Sequence, residues 1–234
     1  MTPYLLPSEA LWVGGPAAAG KSTVSRLFAR KHGYVWYSVD AHTFDHEQRA
    51  AAAGLHELGA GPGAFDRGPM ILEDIHAPTI VEGAFVTPTM AGTGPNAVWL
   101  MPSKPEQLAR LHERNPGANH EGLIWGWQLI NDQLAGTTAT VINVDNQTIP
   151  QTLNALEQHF APLLTAHPTP DTPTRQSFIR TSNNQLVVQA HARNRTTPIT
   201  FDCECADPTC TDVVELTPTA LSQARPAILS PRHT

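Results

Sequence analysis

One eight-residue run constrains this chain more than any other. Residues 15–22 read Gly-Pro-Ala-Ala-Ala-Gly-Lys-Ser, a full match to the phosphate-cradling pattern G-x-x-x-x-G-K-[ST]. Such a run functions between a buried strand and the helix that it opens, because the N–H groups of the turn and of the first helical turn must converge on one anion. The flanks meet that demand. Ala10-Leu11-Trp12-Val13-Gly14 is an apolar run suited to a buried strand, and Ser22 to Arg30 reads as a helix. The pattern assigns Gly15, Ala18, Ala19, Gly20, Lys21, Ser22 and Thr23 to the phosphates of a nucleotide. Lys21 supplies a charge at the β/γ phosphates, and the Ser22 hydroxyl is placed for a magnesium ion.

A chain of 234 residues has room for one α/β core and an appendage. Fifteen Lys and Arg against 21 Asp and Glu give a net charge of −6, with no basic run to follow a nucleic-acid backbone, so a nucleic-acid partner is disfavoured. No apolar stretch is long enough to span a bilayer and the first residues lack the basic region of a signal peptide, so no membrane partner and a cytoplasmic location are expected. Strand-like runs at 9–14, 34–38, 79–82, 96–101 and 139–144 alternate with helical patterns near 21–32, 44–53, 104–114, 120–134 and 149–163. That alternation predicts βαβ units around a parallel sheet. Gly59-Ala60-Gly61-Pro62-Gly63 is the most loop-like stretch of the core and is suited to substrate contact.

Composition shifts at 166–174, where three prolines in six positions predict an extended linker. The domain expectation is therefore a nucleotide-binding domain over 1–165, a linker over 166–174 and a C-terminal module over 175–234. Within the module, 175–192 fits a helix better than a strand, 199–205 and 212–216 fit a hairpin, and a short helix falls near 218–224.

The first 165 residues resemble the P-loop kinases of small molecules, a group that includes shikimate kinase, adenylylsulfate kinase and chloramphenicol phosphotransferase. Four places carry the resemblance: Gly15 to Thr23; Tyr37-Ser38-Val39-Asp40; Thr79-Ile80-Val81-Glu82-Gly83; and Ala97 to Ser103 leading into a helix with Arg110 and Arg114. It implies a three-layer α/β core with a parallel five-stranded sheet, use of ATP and magnesium, and an acceptor hydroxyl held by the acid after the second strand.

On the residues themselves, Asp40 is either a general base for an acceptor hydroxyl or a helix cap. Glu82 is a water-mediated magnesium ligand, or a partner for Ser22 or a loop amide. Arg110 and Arg114, four apart, share one helix face and would clamp a polyphosphate, with Arg114 the first choice for catalysis; the alternative is a pair of surface cations at a helix C-terminus. His42 is a substrate-binding candidate, and with His46 four residues on it has metal-ligand spacing without a third ligand; both also fit a plain surface or capping role. Trp125 and Trp127 point different ways on one helix, and one of them is expected in the core.

All three cysteines fall within 203–210. In a reduced compartment such clustering suggests a metal before a disulfide, so Cys203, Cys205 and Cys210 are read as three zinc ligands on a hairpin, with His233 as the fourth and His191 as second choice. Free or redox-active thiols are the alternative. The segment also resembles small C-terminal Cys/His modules of unassigned role that follow diverse bacterial domains, through Cys203 to Cys205, Asp207-Pro208, Cys210, Val214 to Thr217 and His233.

The leading expectation is an ATP-dependent kinase that transfers a γ-phosphoryl group to a hydroxyl of a small molecule such as a nucleoside, sugar, antibiotic or other metabolite. The fold serves only for the nucleotide and the site residues for the reaction. A toxin-like kinase or ATP hydrolase acting on a macromolecule, and a non-enzymatic nucleotide-binding regulator, are the alternatives. A homo-oligomer is compatible with all three.

Overall fold

The computed structural model describes residues 10–55, 65–75, 78–164, 169–224 and 227–233. A five-stranded parallel sheet runs in the order β2-β3-β1-β4-β5, with β1 at Ala10–Gly14, β2 at Val35–Ser38, β3 at Thr79–Glu82, β4 at Ala97–Met101 and β5 at Thr140–Asn143. Helices connect these strands, so the chain has the expected α/β architecture. The Gly59 to Gly63 loop lies outside the described residues.

The chain divides into two compact units, the first formed by Met1–Phe28 and Ile80–His167. Here β1 and β4 are buried at every position and pair in parallel register, Trp12 with Ala97, Val13 with Val98 and Gly14 with Trp99. Strands covered on both faces read as continuous apolar runs, which is what ALWVG and AVWLM are. Strand β5 ends the sheet beside β4 and is largely exposed, so its pattern is weaker. Helix α1 (Lys21–His32) follows β1, and its Phe28 meets Phe160 of α7 (Ile149–Leu164) edge to face at 5.6 Å. Helix α5 (Lys104–Arg114) starts with Pro105 in its first turn, capped by Ser103, whose hydroxyl accepts from the Glu106 amide.

The second unit comprises Ala29–Thr79 and Pro168–Thr234. Helix α8 (Thr172–Ala192), capped by Asp171, lies along β2 and does what a neighbouring strand would do for an edge. The Ser182 hydroxyl accepts from the Trp36 amide at 3.2 Å, while Gln185 accepts from the Ser38 amide at 3.0 Å and donates to the Trp36 carbonyl. Part of the expected linker, 166–168, lies outside the described residues; α8 begins inside the proline-rich run. Beyond it, β6 (Ile199–Asp202) and β7 (Val213–Leu216) form the expected antiparallel hairpin, followed by α9 (Pro218–Gln223). Val187, Phe201, Leu221 and Ile228 make the small apolar core of this segment.

Among the described residues, two helices have no counterpart in the sequence reading. Helix α3 (Gly68–Asp74) and the single turn α4 (Pro88–Ala91) are too short to show a 3.6-residue period. Among the described residues no helix is long and apolar enough to cross a membrane.

Candidate functional site

The first unit holds the glycine-framed loop. Gly15 (φ 131°) and Gly20 (φ 84°) adopt backbone that side chains resist, and a Cβ on Gly15 would stand 2.2 Å from the Leu100 carbonyl oxygen. Ala18 sits at φ 63° despite its Cβ, a local cost of about 1–2 kcal/mol. The turn releases α1 with the N–H groups of its first turn unclaimed by helical partners, which leaves them for an anion. Lys21 is buried, and its ammonium spans the loop to donate to the Pro16 carbonyl at 2.8 Å. Ser22 and Thr23 are exposed at the helix start.

Helix α5 braces this loop. Gln107, fully buried, donates to the Ala17 carbonyl at 3.0 Å, and Arg110 donates to the Ala18 carbonyl at 3.4 Å. Arg110 also donates to the Val144 carbonyl at 2.7 Å and pairs with Glu106 at 2.8 Å, so all three of its nitrogens are engaged by protein acceptors. Arg114 is exposed one turn further on. Glu82 is fully buried at the end of β3, beside β1, where the Gly83 amide donates to the Val13 carbonyl. Trp125 is 67 % exposed and Trp127 is half-buried with its indole N–H on the Pro102 carbonyl, so neither tryptophan enters the core; α6 (Glu121–Leu134) exposes Leu123 and Leu129 as well as Trp125, and of its residues only Ile130 is buried.

The second unit carries Asp40, half-buried in the turn after β2, with His42 just beyond. Helix α2 (Thr43–Ala52) and α3 surround a polar network that the sequence did not reveal. The Tyr37 hydroxyl donates to Asp74 at 2.7 Å and lies 3.1 Å from Nε2 of the fully buried His46, which is itself 3.2 Å from Asp74. Nδ1 of His46 accepts from Nε of the buried Arg67 at 3.2 Å, which places the imidazole proton on Nε2. His42 stacks on Tyr37 at 4.2 Å. Burial lowers the pKa of His42 from its ordinary value. Burial also lowers that of Arg67, against the opposing charge of Asp40. The carboxylates of Asp45 and Asp74 approach His46, but Arg49 bonds both, at 3.3 and 2.8 Å. A guanidinium thus occupies the cation's place there, and both nitrogens of His46 are committed.

Burial alone would raise the Asp74 carboxyl, but hydrogen bonds from His46, Tyr37 and Arg49 outweigh it and hold the group at about 2. A depressed carboxyl stabilises the fold above its unfolded pKa, and that contribution is lost as pH falls from about 4 towards 2. Asp74→Asn should therefore unfold less steeply over that interval than the parent chain, by about 1 kcal/mol after allowance for solvent screening. Denaturant midpoints at pH 5 and pH 2 check this; equal acid sensitivity of the two chains would contradict it.

The C-terminal segment gathers the four residues read from the sequence as ligands. The thiol sulfurs of Cys203, Cys205 and Cys210 and an imidazole nitrogen of His233 all lie within 4.8 Å of one another, with Cys210 Sγ 3.5 Å from His233 Nε2. His191 is exposed at the end of α8 and takes no part. Cys203 and Cys210 are buried, and no disulfide joins the three. Burial pushes the Cys210 thiol up to about 12; Cys203, where burial acts the same way, is instead held below its ordinary value by hydrogen bonds from Ser230 and Cys205.

No family model and no curated protein matches the sequence. Solved structures do. A gluconokinase from Sinorhizobium meliloti is similar over 68% of this chain and 97% of its own, at 18% identity and a TM-score of 0.47. A shikimate kinase from Bacteroides thetaiotaomicron is similar over 65% of this chain and 98% of its own, at 16% identity and a TM-score of 0.45. A sugar kinase from Janibacter sp. is similar over 69% of this chain and 100% of its own, at 17% identity and a TM-score of 0.47.

Proposed function

We propose that the chain is an ATP-dependent kinase that moves the γ-phosphoryl group to a hydroxyl of a small molecule. The observation that carries this reading is the strained turn from Gly15 to Gly20 opening α1, with the Lys21 ammonium laid across it on a carbonyl. A nucleotide phosphate offers that ammonium an anionic acceptor in place of a neutral one. Phosphoryl transfer asks for positioning and charge neutralisation, and the residues fit those roles.

Magnesium suits the donor set of an exposed Ser22 hydroxyl at the helix start and a fully buried Glu82 carboxylate at the strand end, the latter acting through water. When bound, the ion neutralises charge on the phosphates. Asp40 takes the proton as the acceptor oxygen bonds to the γ-phosphorus and the bond to the β,γ-bridging oxygen breaks, releasing ADP. His42, beside it in the turn, contacts the acceptor. Arg114 meets the charge that spreads over the transferred group, and Arg110 acts through the loop whose Ala18 carbonyl it bonds. In the same reading zinc fills the cluster of Cys203, Cys205, Cys210 and His233 and serves folding.

A panel of hydroxyl-bearing metabolites, scored by ATP consumption, finds the acceptor. With that acceptor, Asp40→Asn should lower kcat by about 100-fold or more while leaving the ATP dissociation constant within about twofold. An unchanged kcat removes the general-base role, and a panel with no acceptor-dependent ATP consumption contradicts the kinase.

A further inference from the structure

We infer that Arg30 is the built-in countercharge of the Cys203, Cys205, Cys210 and His233 centre, an inference that rests on the zinc reading above. Zinc binds thiolates and neutral imidazole, so three cysteines and one histidine around a divalent ion leave one net negative charge on the centre. Two of the thiols are buried, and a buried charge needs a partner of opposite sign. Among the described residues, the other charges at the centre do not supply one. Asp212 stands 3.7 Å from His233 and adds a negative charge, and Arg232, which pairs with Asp212 at 3.4 Å, is 83 % exposed.

Arg30 meets the need. Only 5 % exposed, it lies in the last turn of α1 and places Nη1 3.9 Å from the Cys205 sulfur and 3.3 Å from the Asp207 carbonyl oxygen, while Nη2 donates to the Cys203 carbonyl. The planar fork thus grips one ligand sulfur together with the backbone on either side of the Cys203 to Asp207 stretch, a match that an ammonium reproduces only in charge. Arg30 is itself held in place. Its carbonyl accepts from the buried Arg175 of α8, which also donates to the Lys31 carbonyl. Two buried arginines in one place repel, and Arg175 is accordingly pushed below its ordinary pKa by burial and by Arg30. An anionic centre beside Arg30 offsets that repulsion. The arrangement makes Arg30 a positioning residue for the metal: it orients and neutralises the ligands without binding the ion.

The test uses the full chain purified with zinc. Metal analysis comes first, and about one zinc per chain is expected; a parent chain that takes up no zinc fails the zinc reading itself. Competition with a chromophoric chelator then measures affinity. Arg30→Met should bind zinc about 10–100-fold more weakly, the usual cost of losing an outer partner of a metal ligand. Arg30→Lys, which keeps the charge, should recover most of that loss. Arg30→Gln keeps a donor without the charge; it should be as weak as Arg30→Met and serves in its place where the methionine variant does not fold. Zinc held by a charge-free variant as tightly as by the parent, or an equal loss in Arg30→Lys and the charge-free variants, overturns the inference and leaves the zinc reading standing.

Discussion

Lys21→Ala should reduce acceptor-dependent phosphoryl transfer by at least about 100-fold, the scale on which a single preorganised donor to transition-state charge acts. The prediction follows from where the ammonium sits. It is buried at the mouth of α1 on the Pro16 carbonyl, a neutral acceptor that a phosphate oxygen displaces with gain. Stability should change by only about 1 kcal/mol, because the side chain makes this one neutral hydrogen bond and fills no apolar core. Steady-state kinetics together with a thermal melt separate the two effects. Retained turnover would contradict the role; a collapsed melting transition would show that the lysine serves the fold.

The second large effect concerns the proposed zinc. Cys203→Ser, or exhaustive chelation of the parent chain, should lower the melting temperature by roughly 10 °C, the shift that follows from about 4 kcal/mol in a chain of this size. The C-terminal segment has a thin apolar core of Val187, Phe201, Leu221 and Ile228, and the apolar residues packed against it, Leu186, Ile199, Val214, Leu216 and Ala224, are only partly buried. Buried Glu204 pairs with Arg180 at 2.6 Å and also engages Asn183 and the Ile228 amide, a network that sits between Cys203 and Cys205 in the loop after β6. Structural zinc supplies roughly 10–16 kcal/mol of apparent binding energy in small peptides, so a share of that is large against a total stability of about 5–15 kcal/mol. Calorimetric melts with and without chelator check the point. Identical melts for the parent, the chelated chain and Cys203→Ser would contradict it.

Much of the architecture was legible because its signals are local. Strands β1 and β4 announce themselves as continuous apolar runs, β3 as a short one ended by Glu82, and Pro105 and Ser103 mark a helix start without tertiary help. The four clustered Cys and His residues were legible for a related reason: few residue types bind zinc, and this tail holds them within a short span. What stayed hidden depends on distant pairs. Nothing near His46 in the chain signals that Asp74 and Arg67 will close around it, because they come from the short α3 and the residue that precedes it. Nor does the C-terminal helix advertise that Ser182 and Gln185 will seal the edge of β2, since polar residues on a helix ordinarily read as a solvated face. Arg30 is one of three basic residues in the last turn of α1, and nothing local to it signals the Cys203, Cys205 and Asp207 groups that it meets.

Titration of the intact chain with ATP in the presence of magnesium, followed by isothermal calorimetry, tests the central claim most directly. The account predicts saturable binding at one site per chain, lost or strongly weakened in Lys21→Ala. Absence of binding by the parent chain to either adenine or guanine triphosphate would contradict it.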